Sequence, residues 1–366
     1  MFDKVQKHLH DQLPFVLYKK PNQKVINAYL QQGSDLFLTA DFAANGFVFS
    51  SFDGMQSYLI PENKSKKYQF EYQNLGIQSE KQPTAVYESS YKDAFVSLVK
   101  KGIQAIKNHD FEKVVLSRSE NIAIKNASIF EIYESLVYNY PSAFVYCFYH
   151  PKVGMWLGAT PELLLHVKKD LFKTISLAGT QKDQEAQDVF WQNKEIEEQQ
   201  YVTNFIVTNL ENELQAITVS KPYSTQAGSL WHIRTDIEGQ LTPQTSFSKI
   251  LKILHPTPAV CGLPKESAKK FILENERYDR QFYTGFLGEL NLEDASSMQN
   301  VDLFVNLRCM QINAVDNRFA DKQSEKQIVL YMGCGVTKDS IPENEWMESV
   351  NKSMTMKKVL QSFTQK

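Results

Sequence analysis

The chain has 366 residues and a formal charge of −2, from 40 Lys+Arg against 42 Asp+Glu. A chain this long buries several packed layers, so it needs neither disulfides nor a structural metal to fold. The charge balance argues against a nucleic-acid-binding face and against polybasic attachment to a membrane. A composition of 42% hydrophobic and 22% charged residues belongs to a globular protein, and Gly 15 with Pro 13 exclude collagen-like and linker-rich readings. The four cysteines, Cys147, Cys261, Cys309 and Cys334, show no CxxC spacing, which speaks against structural zinc. Three of them sit inside apolar runs, so a reduced, cytoplasmic protein is expected. The N-terminal segment carries charges throughout and no signal peptide is visible; no apolar stretch reaches the ~18 residues that span a bilayer.

Residues 1–90 read as short strands and turns, with Asp35–Ala40 and Gly46–Phe52 as examples, and residues 61–83 as a polar surface excursion. From there the patterns sharpen. Phe95, Leu98, Val99, Ile103 and Ile106 recur at helical spacing and predict a helix over 91–108. Lys113–Ser117 reads as a short buried strand. Ser128 and Glu131 form a capping-box pattern before a helix that ends at Tyr140-Pro141. Ala143–Tyr149 and Gly154–Ala159 read as strands, and Leu163–Val167 with Leu171–Ser176 as a hairpin. A long helix is expected from Asp188 to Leu214 and another between Lys265 and Arg277. Strands follow at Thr284–Leu290, Leu303–Leu307 and Ile328–Met332. The last helix has Ser340 and Glu343 at capping-box spacing and Pro342 in its first turn. No linker divides the chain. The expectation is therefore α+β: one large domain over 1–366, with mixed or antiparallel sheets, outer helices, divergent N-terminal strands over 1–90 and a core over 91–362.

Several polar residues sit where the pattern is apolar. Glu198 falls on the stripe formed by Trp191, Val202, Phe205, Ile206, Asn209 and Leu210, with Glu195 nearly one turn earlier. Glu345, Glu348 and Lys352 are spaced i, i+3, i+7 beside Trp346 and Val350. A salt bridge or a solvated helix face accounts for either group on pattern alone. Carboxylates converging from separate helices, without His or Cys clusters, would instead suit Mg²⁺. Gly179 and Gly333 follow strands, where glycine lets backbone approach a ligand closely. Arg308 ends the buried run LFVNL as a guanidinium fit for a carboxylate, although an Arg there is more often a surface residue. Lys113 begins KVVLS, where a lysine usually snorkels to water; a buried amine could act as a base. Glu162 heads an apolar strand, where an inward carboxyl could hold a proton as a general acid. GxxxxGK[ST] and GxGxxG are both absent, so nucleotide-phosphate folds have no support.

Taken together and in order, these pieces resemble the chorismate-utilising enzymes, the group that includes isochorismate, salicylate, anthranilate and aminodeoxychorismate synthases. The matching blocks are EKVVLSR at 112–118, GATPELLL at 158–165, LAGT at 177–180, KEIEEQQYV at 194–202, LHPTPAVCGLP at 254–264, Glu276-Arg277, YTGFLG at 283–288, LRC at 307–309, GCG at 333–335 and PENEWMESVNK at 342–352. They cover about residues 90–360. The resemblance implies an anthranilate synthase component I-like fold, chorismate as substrate, and Mg²⁺ held by Glu198, Glu348 and Glu345 with Glu195 close by. It implies that Arg308, Lys352 and the Gly333 backbone hold substrate carboxylates, that Gly179 and Thr180 form a contacting loop, and that His255, Tyr283 and Leu307 lie in the pocket wall.

Within that family the amine-adding branches usually carry Gln where this chain has Lys113, and the water-adding branches carry Lys. The resemblance therefore implies isochorismate synthase: Lys113 as the base that activates water at ring carbon C2, Glu162 as the acid that protonates the departing C4 hydroxyl. Salicylate synthase, which goes on to eliminate pyruvate, shares both residues and is the alternative; an anthranilate or aminodeoxychorismate synthase component and a non-catalytic subunit are weaker ones. Tyr283 and Leu307 fit both branches and lean towards a menaquinone over a siderophore route. No obligatory protein partner, nucleic acid or membrane is expected. The departures are Cys261 and Cys334, where Gly or Ala is more frequent, and Gln199, where the family often has His.

Overall fold

The computed structural model describes residues 2–72, 89–125, 127–182, 189–227, 230–242, 245–293, 299–314, 319, 321, 325–361 and 363. Two sheets dominate it. From edge to edge the first runs Gly262–Leu263, Lys113–Ile124, Lys326–Val336, Cys309–Ala314, Gly154–Thr160, Phe144–His150, Phe15–Lys19, Val25–Gln31 and Ser65–Glu71. The second runs Leu214–Val219, Leu230–Leu241, Leu171–Lys182, Leu163–Lys168, Gln299–Val305, Phe286–Glu293, Gly46–Ser50, Ser57–Pro61 and Phe37–Leu38, with Tyr223–Ala227 also pairing to Leu230–Leu241. Every pairing among the described residues is antiparallel. The helices are α1 (Phe2–His10), α2 (Ser89–Lys107), α3 (Ile129–Asn139), α4 (Asn193–Leu210), α5 (Phe247–Leu254), α6 (Lys265–Asn275) and α7 (Pro342–Leu360).

The sheets face each other across an aromatic layer. Tyr18, Phe144, Tyr146, Phe148 and Trp156 project from the first sheet, and Phe47, Phe49, Leu287 and Phe304 from the second. Phe144 stacks on Phe304 with ring centroids 4.4 Å apart, and Phe49 on Phe282 at 4.3 Å. This is where the high aromatic content goes: alternate residues of buried strands put rings on one face, and each ring removes a large apolar area from water. The outer faces carry the helices. α1 and α3 cover one half of the first sheet, α2 and α6 the other, and α7 reaches both; α4 and α5 cover the second.

Most elements fall where the patterns place them, and the α3 capping box forms as expected, Glu131 N donating to Ser128 Oγ and Ser128 N to Glu131 Oε2. Four readings are corrected. Phe2–His10 is a helix rather than a turn region. Ser65–Glu71 is an edge strand inside what was read as a surface excursion. The long helix stops at Leu210, and Leu214 already begins a strand. Ser340 does not cap α7: Ile341 is the N-cap residue, and Ser340 Oγ accepts from Thr337 N instead. The four cysteines are buried and free. Among the described residues, no helix is long and apolar enough to cross a membrane.

Candidate active site

The chain passes between the sheets at two neighbouring places. At Pro161-Glu162 it leaves Gly154–Thr160 of the first sheet for Leu163–Lys168 of the second, and at Asn306–Arg308 it returns from Gln299–Val305 to Cys309–Ala314. The crossings are tied together: Val305 N donates to Glu162 O at 3.0 Å and Ala159 N to Arg308 O at 3.0 Å. Residues at such crossings leave the ladders, so their side chains can enter the gap where the sheets diverge. That gap is an inner cavity of ≈ 50 Å³ lined by Glu162, Gly179, Thr180, Glu198, His232, Tyr283, Leu307, Arg308, Gly333, Gly335 and Lys352, among others. An outer cleft of ≈ 720 Å³ shares Thr180 with it and is lined by Lys194, Glu195, Glu345 and Glu348.

The electrostatics of the inner wall are unusual. Burial pushes the Glu162 carboxyl up to about 7, even though Arg308, Lys113 and Lys352 pull the other way. At neutral pH Glu162 can therefore hold or release a proton. Arg308 adopts φ 48° and its guanidinium forms no ion pair among the described residues; burial lowers its pKa, and a guanidinium keeps its charge. It is a cation held ready for an anion. Lys352 Nζ donates to Gly333 O at 3.0 Å and to Glu348 Oε1 at 2.7 Å.

Lys113 does not snorkel. Its strand is covered on one edge by Gly262–Leu263, on the other by Lys326–Val336, and on its outer face by α2 and α6, so the amine is 0% exposed. Nζ lies 3.0 Å from Glu198 Oε1, placing the amine behind that carboxylate rather than on the cavity wall itself. Burial would raise Glu198, but Lys113, Lys194 and Lys352 outweigh it and hold the carboxyl below its ordinary value. Glu198 occupies space that only glycine leaves open: a Cβ on Gly335 would lie 2.0 Å from Glu198 Oε1.

α4 rides on the second sheet and α7 on the first, so their carboxylates meet across the cleft. Glu345 is 1% exposed and paired to Lys194 at 2.5 Å. Burial, then the nearby Glu348, raise it to about 7 against the pull of Lys194. Its Oε2 is buried without a hydrogen-bond partner. Glu195 instead folds back on its own helix, its Oε2 accepting from Gln192 N at 3.1 Å. Gln199 fixes α4 to the sheet beneath, donating to Thr235 Oγ1 at 2.8 Å and to Ser176 Oγ at 3.3 Å, and also to Thr203 Oγ1 on its own helix at 2.8 Å.

Two residues were placed differently, or not at all, by the sequence. His255 does not line this cavity. The cis His255-Pro256 segment turns its ring towards the strand end at 51–52, where Nε2 faces the carbonyls of Ser51 and Phe52 at 3.2 Å each, beside a separate cleft. His232, which does line the cavity, was missed because Leu230–Leu241 was not read as a strand. The signal available in the sequence was the alternation of Trp231, Ile233, Thr235 and Ile237 with His232, Arg234, Asp236 and Glu238.

Arg308 and Lys352 line a pocket set where two antiparallel sheets part, and carboxylates line the cleft at its mouth. The family follows from the sequence comparison: the family model described as chorismate binding enzyme matches residues 44–361, and the chain belongs to that family. The match begins at 44, so the strands Gly46–Ser50 and Ser57–Pro61 fall within it although residues 1–90 offered no motif. The chain is 31% identical to isochorismate synthase MenF of Pasteurella multocida over 72% of its length, and 31% identical to isochorismate synthase EntC of Escherichia coli K12 over 67%. The matched segments span 60% and 61% of those relatives. The structure of DhbC from Bacillus anthracis superposes with a TM-score of 0.76 at 24% identity, covering 98% of this chain and 99% of that one, which establishes the shared fold.

Proposed function

We propose that the chain is an isochorismate synthase: it adds water at C2 of chorismate as the C4 hydroxyl departs. The observation that carries this reading is Glu162, a buried carboxyl at about 7 on the same wall as Arg308, which forms no ion pair among the described residues, and Lys352. Arg308 and Lys352 supply fixed positive charge for the substrate carboxylates. Glu162 donates its proton to the leaving hydroxyl, which departs as water. Lys113 takes a proton from the attacking water. That amine is ion-paired to Glu198, and an ammonium has no lone pair to offer. The base role therefore needs Glu198's charge to be engaged by another cation. Water in and water out balance, so the reaction is an isomerisation.

The acidic groups at the mouth fit Mg²⁺ in donor chemistry: carboxylate oxygens from two helices, one of them the orphaned Glu345 Oε2. Among the described residues, no three such groups are already drawn together around a metal position; lysines neutralise them instead. Glu198, Glu345 and Glu348 would hold the ion. Once bound it would neutralise the ring carboxylate and draw electron density from the ring.

The test is incubation of the protein with chorismate and Mg²⁺, with products separated by chromatography. Isochorismate is expected. Unconsumed chorismate refutes the reading; salicylate plus pyruvate reassigns the chain to the salicylate-forming branch; anthranilate formed with ammonia refutes the role of Lys113.

A further inference from the structure

The block EKVVLSR supplies Lys113, but its last residue faces the other way. Val114, Leu116 and Arg118 alternate along the strand with Lys113, Val115 and Ser117, so Arg118 lies on the outer face, beneath α7. Its side chain is 6% exposed. Nε donates to Ser349 Oγ at 2.9 Å, and the guanidinium lies over the Trp346 ring, 4.4 Å from its centroid. Nη1 donates to Glu120 Oε2 at 3.1 Å, and Glu120 Oε1 pairs with Lys357 at 2.5 Å. Nη2 is buried and has no hydrogen-bond partner among the described residues. Arg118 thus grips α7 directly at Trp346 and Ser349 and, through Glu120, at Lys357.

A buried guanidinium with one orphaned nitrogen and a carboxylate shared with a lysine costs stability that an apolar side chain beside Val114 and Leu116 would keep. What the arginine supplies is direction. Apolar packing tolerates a small rotation of a helix, whereas an N–H···O bond weakens steeply off its axis. The gripped positions adjoin the functional ones: Glu345 precedes Trp346, Glu348 precedes Ser349, and Lys352 lies one turn beyond Glu348. At about 100° per residue, a slip of one residue would swing all three by about a quarter-turn. We propose that Arg118 is a positioning residue that fixes the rotation of α7 on the sheet, and so aims Glu345 and Glu348 into the outer cleft and Lys352 into the inner cavity. Its consequence for metal rests on the reading of those carboxylates as Mg²⁺ ligands.

Arg118→Met separates direction from stability because it leaves no partner stranded: Glu120 keeps Lys357, and Ser349 Oγ still donates to Trp346 O at 2.7 Å. Ser349→Ala removes the acceptor on the helix side. Val359→Ala is the control, hollowing the core under the far end of α7 without touching these contacts. Urea unfolding, hydrogen exchange of the ligand-free chain, and Mg²⁺ calorimetry with and without chorismate are measured on wild type and the three variants. Arg118→Met should keep the wild-type urea midpoint, exchange its amides faster over 345–352 and not in the strands beneath, and bind Mg²⁺ about tenfold or more weakly. Ser349→Ala should change exchange and Mg²⁺ affinity in the same sense by less, and it carries the comparison if Arg118→Met does not fold. Val359→Ala should lower the midpoint and leave Mg²⁺ affinity at the wild-type value. The exchange arm needs neither metal nor substrate, so it decides the proposal even if wild type binds no Mg²⁺, a result that would refute the Mg²⁺ reading instead. The proposal is overturned if exchange over 345–352 is unchanged in Arg118→Met and Ser349→Ala, if both keep wild-type Mg²⁺ affinity, or if Val359→Ala weakens Mg²⁺ binding as much as they do.

Discussion

Glu162 should be a residue at which the protein gives up stability for proton-donating capacity, and Glu162→Gln separates the two. A carboxyl at its ordinary 4.5 would be protonated to roughly 0.3% at pH 7, whereas burial lifts this one to about 7, so about half the molecules hold the proton there. The sign for stability follows from which state binds the proton more tightly. The folded value lies above the unfolded one, so the contribution is fully present below pH 4.5 and is lost as the pH rises through about 7. Near pH 8 the cost of burying the ionised group is about 3 kcal/mol, and near pH 5 about 1 kcal/mol. Glutamine never ionises. Urea unfolding of wild type and Glu162→Gln at both pH values should therefore show the variant gaining about 2 kcal/mol relative to wild type between pH 5 and pH 8. Comparing the two pH values cancels whatever the amide changes in packing. Turnover of chorismate should fall by about 10²–10⁴ in the same variant, since no proton is left to give. Wild-type kcat/KM should decline tenfold per pH unit above about 7, the acid form being the active one. A stability difference that does not change with pH would refute the burial argument, and near wild-type turnover would refute the role as acid.

Gly335→Ala would drive a Cβ to 2.0 Å from Glu198 Oε1, the free end of a flexible side chain, so the carboxylate moves rather than the backbone. The melting temperature should stay nearly unchanged while Mg²⁺ affinity, read by calorimetry with and without chorismate, falls about tenfold or more. Behind the cavity, Glu276 pairs with Arg280 at 2.6 Å with both side chains 2% exposed, and its Oε1 also accepts from Ser117 N at 2.7 Å. Glu276→Ala strands a buried guanidinium and should cost about 3–5 kcal/mol in urea unfolding; a loss under about 1 kcal/mol would mean that Arg280 finds its partners elsewhere.

Local pattern determined much of this protein. Helical periodicity located α2, the capping box set the start of α3, and apolar runs placed the strands about Val145, Leu157, Leu303 and Leu330, because those signals depend on neighbours a few residues away. The ordered blocks led to the family. What the chain alone left open was direction and company. A lysine at the head of an apolar strand ordinarily reaches water; Lys113 cannot, because strands from 262–263 and 326–336 and helices from 89–107 and 265–275 close over it. Glu198 and Glu348 lie 150 residues apart and meet only because α4 sits on one sheet and α7 on the other. His255, in a motif that the resemblance assigned to the pocket wall, turns to the carbonyls of Ser51 and Phe52, and the unremarked His232 takes a place in that wall. Side-chain burial and charge pairing are sums over elements remote in sequence, and here the partners were supplied by which strands lie side by side and where the two sheets part.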